Sequence, residues 1–325
     1  MDSSLLDFTF LPKEQLIGEK QLEALKKYGT RMAVTDFSIL LGAFVQFANP
    51  LVDKYEPLFT SEGKDLKDRT GIYCSSSLYN GRESVFAITC GGVEQNYADH
   101  WQNHAGRPAL SLSELGLSFP NAVWGANGIL EVEYGEYPQQ AVDKELSEIL
   151  ESEHQNQKLI ATGKTYVTKM RHNEFEYDGK RYVRVLANLD QDPTTLSNGV
   201  EVKTGDAVWV EVQPIKWLVD EKDKILLSKK GIFSGITYSS QYTGDFKKSY
   251  VKMFMNTYFA KDIQTSKTMN RIVQGEVQTK QAYNFDGANA EDIVNSLLES
   301  GHITKEQLIK LYYKRVQAEM NNRKR

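Results

Sequence analysis

From Gly128 to Asp220 the chain is a strand-rich block, alternating at its start and of strong β composition after residue 163, and such a block has to build sheets. Ile129-Leu130-Glu131-Val132-Glu133-Tyr134-Gly135 alternates apolar with acidic residues, the pattern of a half-buried strand. Residues 164–168, 181–186, 207–212 and 215–220 follow, each rich in β-branched and aromatic side chains. Asp178-Gly179 and Asn198-Gly199 supply turns among them. Upstream, residues 71–76 and 84–89 flank Asn80-Gly81, a strong short-range hairpin signal.

Helical spacing is confined to other stretches. Residues 13–28 are predicted as one helix stopped by Gly29, and a second apolar stretch, 39–45, ends near Asn49-Pro50. Residues 139–158 are predicted as an acidic amphipathic helix, and 247–259 as a helix carrying Val251, Phe254, Met255 and Tyr258 on one face. Residues 264–290 are polar without a period and read as a linker. A C-terminal helical hairpin follows, whose second helix opens on the capping box Thr304-Lys305-Glu306-Gln307. Three divisions are expected: 1–125, 126–263 and 264–325. Net charge follows them, at −4 for residues 1–127, −3 for 128–265 and +3 for 266–325.

Composition excludes several classes. The 325 residues carry a net charge of −4, which argues against a protein whose main task is to coat nucleic acid or an anionic membrane. No apolar run approaches the roughly 18 residues of a membrane span. The opening Met1-Asp2-Ser3-Ser4-Leu5-Leu6-Asp7 lacks the positive charge and apolar region of a secretory signal, so the expected address is cytoplasmic, without membrane partners. The two cysteines, Cys74 and Cys90, form no Cys-x-x-Cys pair and are expected as thiols rather than zinc ligands.

Few constellations carry chemistry. The chain has no P-loop, no dinucleotide-binding glycine fingerprint and no nucleophile elbow. No catalytic residue, metal or cofactor is therefore assigned. His100 and His104 have the i, i+4 spacing of metal ligands on a helix, but no glutamate completes that motif and the neighbouring Asn and Gly favour a loop. Tyr97, His100, Trp101 and His104 then become candidate contact residues of a recognition loop over 91–105. The pairs Glu131/Glu133 and Glu174/Glu176 are expected on solvated strand faces. Trp209 and Trp217 have two readings, core residues or a stacking platform for sugar or base.

Two stretches carry a resemblance. Residues 69–77, Arg-Thr-Gly-Ile-Tyr-Cys-Ser-Ser-Ser, followed by Gly106-Arg107-Pro108-Ala109-Leu110-Ser111-Leu112, resemble the closing half of an uncharacterised bacterial domain family. Tyr134-Gly135-Glu136-Tyr137-Pro138-Gln139, with Pro214-Ile215-Lys216-Trp217-Leu218-Val219 and Leu226-Leu227-Ser228-Lys229, resembles its opening half. The resemblance implies an α+β fold like that of C-type lectins and formylglycine-generating enzymes: a mixed sheet with flanking helices. It implies no established activity. Because the closing motifs precede the opening ones, the chain holds either two divergent copies or rearranged halves. The cysteines do not match the closely spaced pair on which formylglycine-generating enzymes depend.

The resulting expectation is a non-catalytic binding or assembly protein, of phage or mobile-element type, with a protein partner. An enzyme or enzyme accessory with an unrecognised site is the alternative. Nucleic-acid association through the basic helix 304–325, with Lys314 and Arg315 as contacts, is the third reading.

Overall fold

The computed structural model describes residues 7–46, 70–78, 84–89, 94–98, 102–111, 123–124, 130–239 and 245–263. The chain divides into two units, Met1–Ile272 and Val273–Arg325, and every described residue belongs to the first. The expected linker and C-terminal hairpin thus lie outside the described residues.

The strands run in chain order as β1 (Phe8–Thr9), β2 (Ala33–Val34), β3 (Val45–Gln46), β4 (Thr70–Gly71), β5 (Tyr73–Leu78), β6 (Ser84–Ile88), β7 (Glu94–Ala98), β8 (Ala109–Ser111) and β9 (Val123–Trp124). They continue as β10 (Leu130–Ala141), β11 (Ile160–Val167), β12 (Arg171–Tyr177), β13 (Lys180–Leu186), β14 (Thr194–Thr195), β15 (Glu201–Val202), β16 (Ala207–Asp220), β17 (Ile225–Ser228) and β18 (Lys230–Gly231). The main sheet is antiparallel, ordered β1-β8-β17-β16-β13-β12-β11, with β10 also pairing β16 and β9. Smaller sheets are β18-β2-β4-β3, β5-β6-β7 and β14-β15. With helices set apart from the sheets, the architecture is α+β. The main sheet runs through the expected boundary near residue 125, since β8 before it pairs with β17 after it.

Residues 207–220, read above as two strands, form one. Inward-facing positions step from Val208, Val210 and Val212 to Ile215 and Trp217 across Gln213-Pro214. Opposite Pro214 the register of β10 shifts between Glu133 and Glu136, where Gly135 takes φ +71°. Proline cannot donate to a ladder, so a strand keeps one where the partner bulges. The two halves of β16 then use different neighbours on one edge, β13 for residues 207–211 and β17 for 217–220, while β10 follows the other edge.

The helices are α1 (Lys13–Leu16), α2 (Glu23–Tyr28), α3 (Asp36–Leu40), α4 (Lys144–Gln155), α5 (Tyr250–Phe254) and α6 (Ala260–Asp262). The single helix expected over 13–28 is interrupted near Gly18, which takes φ +102°. Helix α4 begins later than its periodicity suggests. Tyr137, Pro138, Gln140 and Ala141 pair along β16, and the Asp143 side chain caps the helix by accepting from the Leu146 N–H at 2.8 Å. Between α5 and α6, Met255–Phe259 is a π-helical turn. Its wider turn carries Phe259 inward beside Val251, Phe254 and Met255 and leaves Tyr258 at the surface, which corrects the expected apolar face.

One hydrophobic core runs from Phe8 to Ile263 and includes Trp217. A small second core under α4 holds Val142, Leu150, Tyr182 and Trp209. Both tryptophans are fully buried, each with its indole N–H satisfied, Trp209 by Glu151 at 3.0 Å and Trp217 by the Tyr134 carbonyl at 2.8 Å. They are core residues, and the stacking-platform reading is set aside. Glu151 also takes both arms of the Arg184 guanidinium at 2.9 Å, and these bonds hold its carboxyl down to about 2. At the outer edge of β1, the Asn256 carboxamide accepts from the Phe8 N–H at 2.8 Å and donates to the Phe8 carbonyl at 3.0 Å.

The Gly-Arg-Pro-Ala-Leu stretch locks the sheets together. The Gly106 N–H bonds the Phe233 carbonyl at 2.7 Å, so close that a Cβ on residue 106 would come 2.2 Å from the Phe233 ring. Arg107, 1% exposed, donates through Nε to the Ser228 carbonyl at 3.0 Å and through one terminal nitrogen to the Thr30 carbonyl and the Tyr73 hydroxyl. Gly106→Ala should therefore cost about 1–3 kcal/mol of unfolding free energy in chemical denaturation. Adding Phe233→Leu should return part of the loss, whereas an unchanged midpoint in the single variant would refute the close-approach account.

Candidate functional site

Four connections meet at one rim of the described fold. Leu41 and Gly42 follow α3, Gln102 and Asn103 lead into the bridge at Ala105, Lys169 lies in the β11–β12 turn, and Asn188, Leu189 and Asp190 follow β13. Together they line a cleft of about 450 Å³. Backbone hydrogen bonds fix its walls: Asn188 N–H to the Leu40 carbonyl at 2.8 Å, Phe44 N–H to Asn103 at 2.8 Å, and Gly235 N–H to Gln102 at 3.1 Å. Gly42, at φ +97°, lets the Asn188 carbonyl come close. The Asn103 amide nitrogen reaches Asp190 at 3.4 Å, while its Oδ1, shielded from solvent, accepts no hydrogen bond among the described residues.

A larger cleft of about 800 Å³ lies between β1, β8 and the 3₁₀ turn Phe246–Lys248, over Phe10, Leu110, Ile225 and Phe246. Its charged groups are partly spent on internal contacts. Lys252 bonds Asp7 at 2.6 Å and the Phe8 carbonyl at 2.7 Å, and Asp245 caps Lys247 at 2.9 Å. The smaller cleft keeps one unused buried acceptor beside an exposed carboxylate and an exposed ammonium, and it is the better recognition site of the two.

The residues expected to form a contact loop part company. Residues 94–98 form β7, so the segment 91–105 is not wholly loop, and Tyr97 lies opposite Val85 of β6. His100 and Trp101, like Lys314 and Arg315, lie outside the described residues. His104 is buried rather than exposed, its Nδ1 3.0 Å from the buried Cys74 Sγ. Burial pushes its imidazole down to about 4, so the ring is neutral at physiological pH. Both groups are buried, and their contact ties β5 to the segment that leads into Ala105. Gln102 and Asn103, directly before His104, are the residues of this segment that reach the cleft, and a polar pair between Trp101 and a Gly-Arg-Pro turn was the available signal.

The carboxylate pairs also separate. Glu131 pairs with Lys229 at 2.7 Å, but Glu174, expected to face solvent, is 2% exposed. It accepts from the Tyr166 hydroxyl at 2.5 Å and the Thr162 hydroxyl at 2.9 Å, so side-chain partners on β11 let an inward carboxylate replace an apolar residue. No group of three or more metal-ligating side chains occurs among the described residues, and no helix among them is long and apolar enough to cross a membrane.

No family model, curated protein or solved structure matches the chain.

His172, buried with Nε2 3.1 Å from the Thr168 hydroxyl, is likewise pushed down to about 4 by burial. A histidine held neutral in the fold contributes stability above its unfolded value near 6.5, and that contribution is lost as pH falls toward 4. Each histidine should add a slope of up to about 1.4 kcal/mol per pH unit to the acid limb of stability. A pH series of urea melts should show a shallower limb in His104→Asn. An unchanged limb would mean that burial does not lower the His104 imidazole below its value in the unfolded chain.

Proposed function

We propose that this protein is a non-catalytic binding protein which engages a protein partner through the rim cleft formed by Gln102, Asn103, Lys169, Asn188 and Asp190. The observation that carries this reading is the convergence of four separate connections, three of them tied to neighbouring segments by backbone hydrogen bonds, on one cleft lined by several polar side chains. Rigid walls lower the ordering cost of binding, and mixed donors and acceptors suit a partner's main chain. The buried Cys74–His104 contact gives no comparable support to an enzyme, since neither group is open to a substrate. The proposed scaffold is the lectin-like one that the Tyr-Pro-Gln, Lys-Trp and Arg-Pro-Ala-Leu stretches resemble, in which a sheet holds variable loops.

The test is a double variant, Asn103→Ala with Asp190→Ala, at one half-buried and one exposed position outside the core, and it should lower unfolding free energy by no more than about 1 kcal/mol. Proteins retained from host extract by the immobilised wild type should be retained about tenfold less by the variant, the loss expected when one central contact is removed. Equal retention would exclude the cleft as the contact site. Retention that disappears with added salt and nuclease would favour the nucleic-acid reading instead.

A further inference from the structure

The last described helical turn is fastened to the main sheet by a buried acid. Asp262 is 5% exposed, and its Oδ2 accepts the Val167 N–H of edge strand β11 at 3.1 Å. One residue on, the Ile263 carbonyl accepts the Glu136 N–H of β10 at 3.1 Å, and the fully buried Ile263 side chain packs on Gly135, where a Cβ would come within 3.0 Å. Val167 and Glu136 are thus held by two consecutive residues, Asp262 and Ile263.

The charges around this fastening are arranged unusually. On β10 and β13, Glu136 and Arg181 pair at 2.6 Å, and Arg181 also approaches Glu174 of β12 at 3.8 Å. On β11, the Tyr166 hydroxyl donates a hydrogen bond to Glu174, and Lys164 holds its ammonium 4.7 Å from the centre of the Tyr166 ring, shielded and donating to no acceptor among the described residues. Tyr137 of β10 is fully buried, and Lys261 is the neighbouring cation on the helix itself. Among the described residues no cation forms an ion pair with Asp262, which has a single backbone donor for a buried carboxylate.

We propose that Asp262 is a pH-sensitive latch: protonated, it holds the end of α6 on β11 tightly, and ionised, it loosens that attachment. Burial pushes its carboxyl up to about 6, against 3.8 for an ordinary aspartate, and outweighs the Val167 N–H and the Lys164 and Lys261 ammonium groups, which pull it down. A carboxyl whose value is raised in the closed state favours closure at low pH, and the advantage fades as pH rises through about 6. His172 of β12 acts in the opposite sense, because burial holds it neutral and its protonation weakens the fold on acidification. Tightening on acidification is therefore diagnostic of the carboxyl.

Hydrogen exchange on the full chain reads the latch directly. After correction for the intrinsic rate, protection of the Val167 amide and of the amides of α6 should rise about tenfold between pH 7 and pH 5, the factor expected for a closed-state value near 6. Asp262→Asn, which keeps an acceptor for Val167 but cannot ionise, should show high protection at both values. The proposal falls if wild-type protection is flat or decreases on acidification, a result that needs no variant to fold. It also falls if Asp262→Asn keeps the wild-type pH slope.

Discussion

Strand β16 carries more of this fold than its length suggests, because its two halves must face the core through opposite sets of alternate residues. A strand cannot do that while keeping a regular ladder on both sides, since one residue of slip turns every side chain over. The solution is local. Pro214 sits where no donor is required, and Gly135 on β10 supplies the positive φ of the matching bulge. With the step in place, Val208, Val210 and Val212 reach the main core from the first half, Ile215 and Trp217 reach it from the second, and Trp209 turns to the small core under α4.

The second requirement is that segments leading into different sheets approach closely. Gly106 meets this by having no side chain where the Phe233 ring passes, and Arg107 by binding carbonyls of two other segments. A buried guanidinium that meets carbonyl dipoles and a hydroxyl, and no carboxylate among the described residues, is expensive to desolvate. It is specific for that reason, because no other side chain presents a planar fork of donors.

Much of the strand content was legible in residue order, because alternation in residues 129–135 reports burial on a pleated surface and β-branched and aromatic composition marks residues 164–168, 181–186 and 207–220. The turn at Asp178-Gly179 was legible for the same local reason, both residues taking positive φ between β12 and β13. What was not legible depends on contacts distant in sequence. The inward turn of Glu174 needs Tyr166, the exchange of Tyr258 for Phe259 needs a π turn, and burial of His104 needs the Cys74 strand beneath it. The cleft had the weakest signal of all. Gln102, Lys169 and Asp190 are ordinary polar residues in three connections, and only tertiary structure makes them neighbours.

Asn256 bonds both main-chain groups of Phe8 with a single carboxamide, presenting the same donor and acceptor that an adjacent strand would offer. A sheet margin completed in this way has one fewer open position for another copy of the chain. The amide thus acts as a terminator: at that margin the sheet is closed by a side chain, which cannot propagate, instead of by a backbone, which can.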